Sequence, residues 1–265
     1  MTIQEQTIHS LGELIDAATP SDPDPETGRR RDTGVYHGST AGGHPLLTSL
    51  DRLGGTDPPH TKAHLEAHIL RNFARYSRPH LPGLPANHWE LLVIAQHHGV
   101  PTRLLDWSYS PLVAAHFATR GAAPGQDCAI WRLDWQRVHA AFGLPDLSLL
   151  IEDLLGLGVT GSGGPFTPWD LFRGDVESFA CMIEPPSLDA RIVAQAGAFT
   201  VCSESSLPFD AFLDREGLSD ALTKFVVPAS AVPHVRDQLD LAGIEERRLF
   251  PDLDGVAASI RRYYA

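Results

Sequence analysis

The chain has 265 residues, 43% of them apolar, which is enough to bury a full core and is expected to form one large domain. Its formal net charge of −12 argues against a surface built to neutralise the phosphates of duplex nucleic acid. Cys128, Cys181 and Cys202 are an odd set without a CxxC pair, no secretory leader opens the sequence and no apolar run reaches membrane-spanning length, so a reduced, cytoplasmic protein is expected.

In chain order, Ile8 to Ala18 carries Leu11, Leu14, Ile15 and Ala18 on one helical face, with Ser10 as cap and Glu13 at the capping-box position. Residues 21–32 read as a surface loop whose Arg29-Arg30-Arg31 run is solvated. Val35 to Thr40 reads as a strand entering a glycine turn, where the bare Gly38 would admit a ligand close to the backbone beside His37. A helix starting near Thr61 has Leu65, Ile69, Leu70 and Phe73 as its buried stripe. His60, His64 and His68 share the i, i+4, i+8 spacing of a zinc face but lack an evident further ligand, so a wet polar face is the preferred reading.

The densest chemistry lies at Gln96-His97-His98-Gly99-Val100-Pro101-Thr102-Arg103-Leu104-Leu105-Asp106-Trp107-Ser108. Trp89 to Ala95 is helical in pattern and Gly99 with Pro101 ends it, which puts Gln96, His97 and His98 on a helix C-terminus. Thr102 to Trp107 then reads as a strand, and Ser108 or Ser110 caps a new helix with Pro111 in its first turn. Arg103 has the fork geometry for a diphosphate or, equally, for pairing with Asp106; Trp107 suits the interior or a stacked ring.

Downstream, Ala129 to Leu133 reads as a strand, Leu147 to Leu157 as an apolar helix, and the Gly158 to Gly164 run as a loop without the Lys-Ser/Thr of a phosphate cradle. Ala194 to Val201 reads as a late strand opened by Gln195, and Lys224 to Pro228 as another. Val232 to Leu241 reads as a helix, and Val256 to Tyr264 as a last helix led in by Asp252 and Asp254 as caps.

Tyr36-His37-Gly38-Ser39 resembles the first motif of ADP-ribosyltransferases of the diphtheria-toxin and poly(ADP-ribose) polymerase type. From about residue 34 to 118 the sequence resembles an FRG domain: Ser49-Leu50-Asp51-Arg52, a Glu-containing helix, the Gln96 to Trp107 block and the Ser-Pro-Leu helix that follows. Gln195 to Thr200 and Leu249 to Gly255 resemble that family's closing segments. The opening motif departs from the family pattern, having His37 where the family has Arg, and the literal Phe172-Arg173-Gly174 lies after the main block.

These resemblances imply an α+β fold with an ADP-ribosyltransferase-like mixed or antiparallel β core and flanking helices, with residues 1–33 as an N-terminal helix and loop and 34–265 as a single domain. They imply NAD as substrate and transfer of ADP-ribose to a macromolecular acceptor. Protein is favoured over nucleic acid by the acidic charge, no membrane is involved, and a toxin or defence role with a regulatory partner or antitoxin would fit. The catalytic candidates are His37 on the ribose hydroxyls, then Gln195 and, second, Glu204 in the place of a late-strand glutamate. The binding candidates are Tyr36, Gly38, Ser39, Thr40, Arg52, Gln96, His97, Arg103, Asp106, Trp107 and Ser108, and no metal is expected. A glutamine cannot act as a general base, so a module that binds NAD or a nucleotide without turnover stays open beside the enzyme.

Overall fold

The computed structural model describes residues 2–54, 61–81, 83, 85–157, 164–174, 176–186 and 190–264. The chain opens with β1 (Gln4–Thr7), α1 (Leu11–Ala18) and β2 (Val35–Ser39). Two long helices follow, α2 (Lys62–Ser77) and α3 (His88–His97), then β3 (Leu105–Ser108), α4 (Pro111–Arg120), β4 (Cys128–Leu133) and α5 (Trp135–Ala141). Short β5 (Leu149–Leu150), α6 (Ile151–Leu155) and α7 (Pro168–Arg173) lead to β6 (Ala180–Glu184), α8 (Ala190–Ala194) and β7 (Gly197–Cys202). The last elements are α9 (Phe209–Arg215), β8 (Leu222–Val227), α10 (Val232–Leu241), α11 (Glu246–Leu249) and α12 (Leu253–Tyr263).

Local chemistry places the helix ends. Ser10, Thr61, Asn87, Ser110 and Asp252 each accept an amide of the first turn, satisfying donors a helix start leaves open. Gly99, with φ of 78°, ends α3, and the Val100 amide closes back on the Ala95 carbonyl at 2.9 Å in the manner of a Schellman turn.

Among the described residues, the eight strands form one mostly antiparallel sheet in the order β1-β8-β4-β2-β3-β7-β6-β5, with parallel pairing only in the two outermost pairs. One face carries a core common to both halves, including Val35, Trp107, Trp131, Met182 and Phe212. The opposite face carries two separate cores. One lies under α1, α4 and α10 with Tyr36, Ile130 and Phe225, the other under α2, α3 and α7 with Trp89, Phe166, Phe199 and Val201. The ground between them is the cleft described below.

Residues 4–18 are part of this sheet and its cover: β1 pairs in parallel with β8, and α1 buries Leu11 and Leu14 in the core under α4. The strand expected from Thr102 starts only at Leu105, because Thr102 and Arg103 bond to side chains of other elements instead of a ladder. The strand expected from Ala194 begins at Gly197; Ala190–Ala194 is helical and Ala196 takes a left-handed φ of 45°, so Gln195 sits in a turn. The helix expected over Leu147 to Leu157 is only Ile151–Leu155, since the Asp153 carboxylate accepts the Leu150 amide at 2.7 Å and starts the helix there. Asp252 caps the last helix, which therefore starts at Leu253.

Two internal fittings fix α4. A Cβ built on Gly38 would lie 2.1 Å from the Ala114 carbonyl oxygen and 2.5 Å from the Ala118 amide, so the bare position serves close strand–helix packing. Behind the helix, buried His116 meets Arg236 of α10 at 3.2 Å, and Arg236 donates to Glu246 of α11 at 2.9 Å. Burial, together with the Arg236 charge, pushes the His116 imidazole down to about 4, against the pull of Glu246.

Gly38→Ala should displace α4 and cost about 2 kcal/mol or more in urea unfolding, as overpacking against backbone does. His116 titrates at about 4 when folded and near 6.5 when unfolded, so between those values the unfolded chain holds more protons. Its contribution is therefore complete above about pH 6.5 and is lost as pH falls. Lowering pH from 7 to 5 should remove roughly 2 kcal/mol through this group, and His116→Gln should show a correspondingly flatter pH profile of stability.

Candidate functional site

The sheet is joined across its middle by one registered pair, Tyr36↔Ser108, whereas β2 runs along β4 from Val35↔Leu133 to Ser39↔Ala129. Past Tyr36 the two strands part, and a side chain takes over: His37 Nδ1–H donates to the Asp106 carbonyl at 2.7 Å. A carbonyl can only accept, so the proton sits on Nδ1 and Nε2 keeps its lone pair. Burial pushes the His37 imidazole down and the Arg52 charge adds to that, outweighing the Asp106 hydrogen bond and charge; the ring is neutral at pH 7. It meets the Trp107 indole edge-on at 5.8 Å, and the indole N–H donates to Thr200 at 3.1 Å.

Around this junction lies a cavity of about 920 Å³, towards the upper end of the roughly 300–1,000 Å³ usual for small-molecule sites. One wall is the α3 end and β3. Gln96 Nε2 donates to Asp106 Oδ2 at 2.8 Å while Gln96 Oε1 accepts from Thr102 Oγ1 at 2.6 Å, so the amide cannot flip without losing both bonds and the carboxylate is held in place. Ser49 braces the same turn, accepting the Thr102 amide at 3.0 Å.

The opposite wall comes from late in the chain. Ser108 Oγ donates to the Gln195 carbonyl at 2.7 Å and the Tyr109 amide to the Ala196 carbonyl at 3.1 Å, which clamps the left-handed turn before β7. Gln195 Nε2 donates to the Leu249 carbonyl at 3.0 Å. Phe250 lies against the guanidinium groups of Arg120 and Arg191, at 4.6 and 4.7 Å from its ring centre, and the adjoining Pro251 and Asp252 line the cavity.

Of the residues expected from sequence, Tyr36, His37, Gly38, Arg52, Gln96, His97, Asp106, Trp107, Ser108 and Gln195 line this one cavity. Tyr36 does so from within the core, being 2% exposed with its hydroxyl donating to Asp32. Ser39 and Thr40 are outside the lining: Ser39 Oγ donates to the Ala41 carbonyl and Thr40 packs beside Gly121.

Arg103 neither reaches the cavity nor pairs with Asp106. It is buried, with Nε donating to Glu66 Oε2 at 2.6 Å, its amide to Glu66 Oε1 at 2.7 Å, and Nη1 facing the Cys202 and Ser203 carbonyls at 3.3 Å. Phe172 of the literal Phe-Arg-Gly packs on the same guanidinium at 5.4 Å. Glu204 lies past the far end of β7, where its carboxylate accepts the Ser205 and Ser206 amides and pairs with Arg215 at 3.1 Å. Burial would raise its carboxyl, but these bonds bring it down to about 2, and it is no partner of His37. His64 and His68 are exposed on α2, while His60 and the 158–163 run lie outside the described residues. No group of three or more His, Cys, Asp or Glu is placed to hold a metal ion among the described residues.

Residues 32–127 match the family model described as the FRG domain. This chain carries an FRG domain. No curated protein and no solved structure gives a significant match to it. The matched segment supplies His37, Ser49, Gln96, Asp106 and Trp107 of the cavity, and Arg191, Gln195, Pro251 and Asp252 come from beyond the FRG domain match.

Sequence reasoning gave no site role to Glu66, Ser49, Arg191 or Pro251, although Ser49 and Pro251 lie in segments that carry the family resemblance. A signal existed for Glu66, which stands four residues before buried Leu70 on the same face of α2. Removing it by Glu66→Ala should strand the Arg103 charge in the interior and cost about 3–5 kcal/mol. Glu204→Gln, which breaks a partly exposed pair, should cost under about 1 kcal/mol in the same denaturation assay.

Proposed function

We propose that this FRG domain binds NAD in the split between β2 and β3 and transfers its ADP-ribose to a macromolecular acceptor. The observation that carries the reading is the neutral His37, whose Nδ1–H is spent on the Asp106 carbonyl and whose Nε2 is left as an acceptor where the sheet parts. A sugar hydroxyl is a suitable donor to that nitrogen. The edge of β2 at His37 and Gly38 has no registered β3 partner, so its backbone can pair with a carboxamide as it would with a strand. An ADP-ribosyltransferase-like arrangement, with the His-Gly-Ser strand at the centre of a split sheet, accounts for these features together.

Cleaving the nicotinamide–ribose bond develops positive charge on the sugar, and catalysis consists of holding the fragments in line and stabilising that charge. Of the carboxylates lining the cavity among the described residues, Asp252 is committed to capping α12, whereas Asp106 is exposed and oriented by Gln96. Asp106 is thus the group assigned to the developing cation and the acceptor, and Gln195 is assigned to orientation, because an amide cannot take a proton. Arg52 and Arg191 supply positive charge on the cavity wall for a diphosphate. The acidic net charge favours a protein acceptor over nucleic acid. The presence of Gln195 where a glutamate would serve as base also favours a second reading, an NAD-binding module without turnover.

Incubation with NAD labelled in its adenylate half and a cell lysate tests the assignment. Wild type should transfer label, and His37→Ala and Asp106→Asn should each lose it by roughly 10²-fold or more. Calorimetric binding of an NAD analogue without transfer or nicotinamide release supports the module, and neither binding nor transfer removes both readings. Affinity for NAD should be flat from pH 8 to 7 and fall only in acid, where Nε2 becomes protonated and can no longer accept.

A further inference from the structure

Helix α2 turns a basic stripe to solvent. Exposed His64, His68, Arg71 and Arg75, with exposed Arg78 at a cap whose backbone is still helical, follow one another at intervals of four, three, four and three residues. With 3.6 residues per turn and 1.5 Å rise, they fall within about 80° of the helix circumference and run for about 21 Å. The buried side, with Glu66, Leu70 and Ser77, lies opposite. Glu66 is the only carboxylate in the sequence from residue 58 to 89, and it is buried on Arg103. Among the described residues, the ion pairs of this region are Lys62–Asp51, Arg103–Glu66 and Arg173–Asp170, and none takes an arginine of the stripe. The carboxylates of the adjoining helices are committed to their own first turns, Asp170 of α7 to Thr167 and Glu90 of α3 to the Ala86 amide. The negative end of the helix dipole accounts for Arg75 and Arg78 near the last turn, but not for the three residues before them.

We propose that this stripe docks single-stranded nucleic acid, with phosphates along the three guanidinium groups and a base stacked on Tyr76. Guanidinium forks match phosphate oxygens, and a file of them along one helix face is the electrostatic footprint of a nucleic-acid surface. Tyr76 selects among the anionic partners. It is 66% exposed, and the Arg75 guanidinium lies over its ring at 5.2 Å from the centre. A ring and a guanidinium side by side within a basic strip hold unpaired bases whatever their sequence. An acidic peptide would meet the same charges but has no base to lay on the ring. A duplex keeps its base faces stacked inside, and a single file of cations serves one backbone. A lipid surface calls for an apolar face, and of the large apolar side chains that are exposed α2 contributes Tyr76 alone. The net charge of −12 opposes any polyanion at long range, but at physiological salt charges are screened beyond about 8 Å, so the composition of α2 itself decides. The inference stands apart from what the cleft holds.

Fluorescence anisotropy of the whole chain with fluorescein-labelled single strands of mixed sequence, one of DNA and one of RNA, tests the assignment. At least one strand should bind, with log K falling against log salt at a slope of about −2 between about 50 and 200 mM, as three phosphate contacts require. Replacing Arg71, Arg75 and Arg78 together by Gln should raise Kd at low salt by about thirtyfold or more and flatten that slope. Tyr76→Ala should raise Kd roughly fivefold or more with the slope unchanged, which separates stacking from charge. All four side chains face solvent, so far-UV circular dichroism and the urea midpoint should match wild type. A wild type that binds neither strand, binding that survives the triple change or is indifferent to Tyr76→Ala, or a duplex of the same sequence bound as tightly overturns the proposal. So does a glutamate-rich peptide that displaces the strand at equal concentration of charge.

Discussion

The hydrogen bond from His37 to the Asp106 carbonyl stands in for the ladder that β2 and β3 do not make. Two strands at the middle of a sheet normally exchange backbone bonds along their length, and here they do so at Tyr36↔Ser108 alone. The imidazole closes the gap on one side and settles its own tautomer in doing so, because its partner has no proton to give. Pocket and acceptor nitrogen both follow from that parting of the strands, and Gln96 orients the Asp106 carboxylate beside them. The common core on one face, running from Val35 through Trp107 to Met182, keeps the halves aligned behind the opening.

The walls of the cleft come from distant parts of the chain. The FRG domain match covers the strand with His37, the Gln96 turn and the Asp106 strand, which form the floor and one wall. The facing wall is added by the turn at Gln195 and the Phe250 to Asp252 corner. They are held by backbone carbonyls, as in Ser108 to Gln195 and Gln195 to Leu249, and by two guanidinium groups on one phenyl ring. Carbonyl acceptors read position and not side-chain identity, which is why that wall leaves a faint mark in sequence.

Much of the frame was legible because it rests on local rules. The Gly99 ending of α3, the Ser110–Pro111 start of α4, the run of α10 and the apolar strands near Ala129 and Lys224 all follow from caps, breakers and periodicity. His37, Asp106 and Trp107, each named from its motif, line one cavity. What was hidden depends on long-range pairing. A glutamate on a helix reads as solvated, yet Glu66 is buried on Arg103 and takes that arginine out of the cleft. Gln195 read as the start of a strand because nothing in Ala196 announces a left-handed backbone. β1 escaped notice because all four of its side chains are exposed, so it shows no alternation.

That same strand bears on how the protein stays apart from its neighbours in solution. One border of the sheet is β1, four residues bearing Gln4, Glu5, Gln6 and Thr7, with the Glu5 carboxylate joined to Lys224 at 3.0 Å. The other border is β5, only two residues long. A polar margin at one side and a stub at the other give a stray β-segment little to zip onto, so the broad sheet gains its width without inviting runaway stacking into fibres.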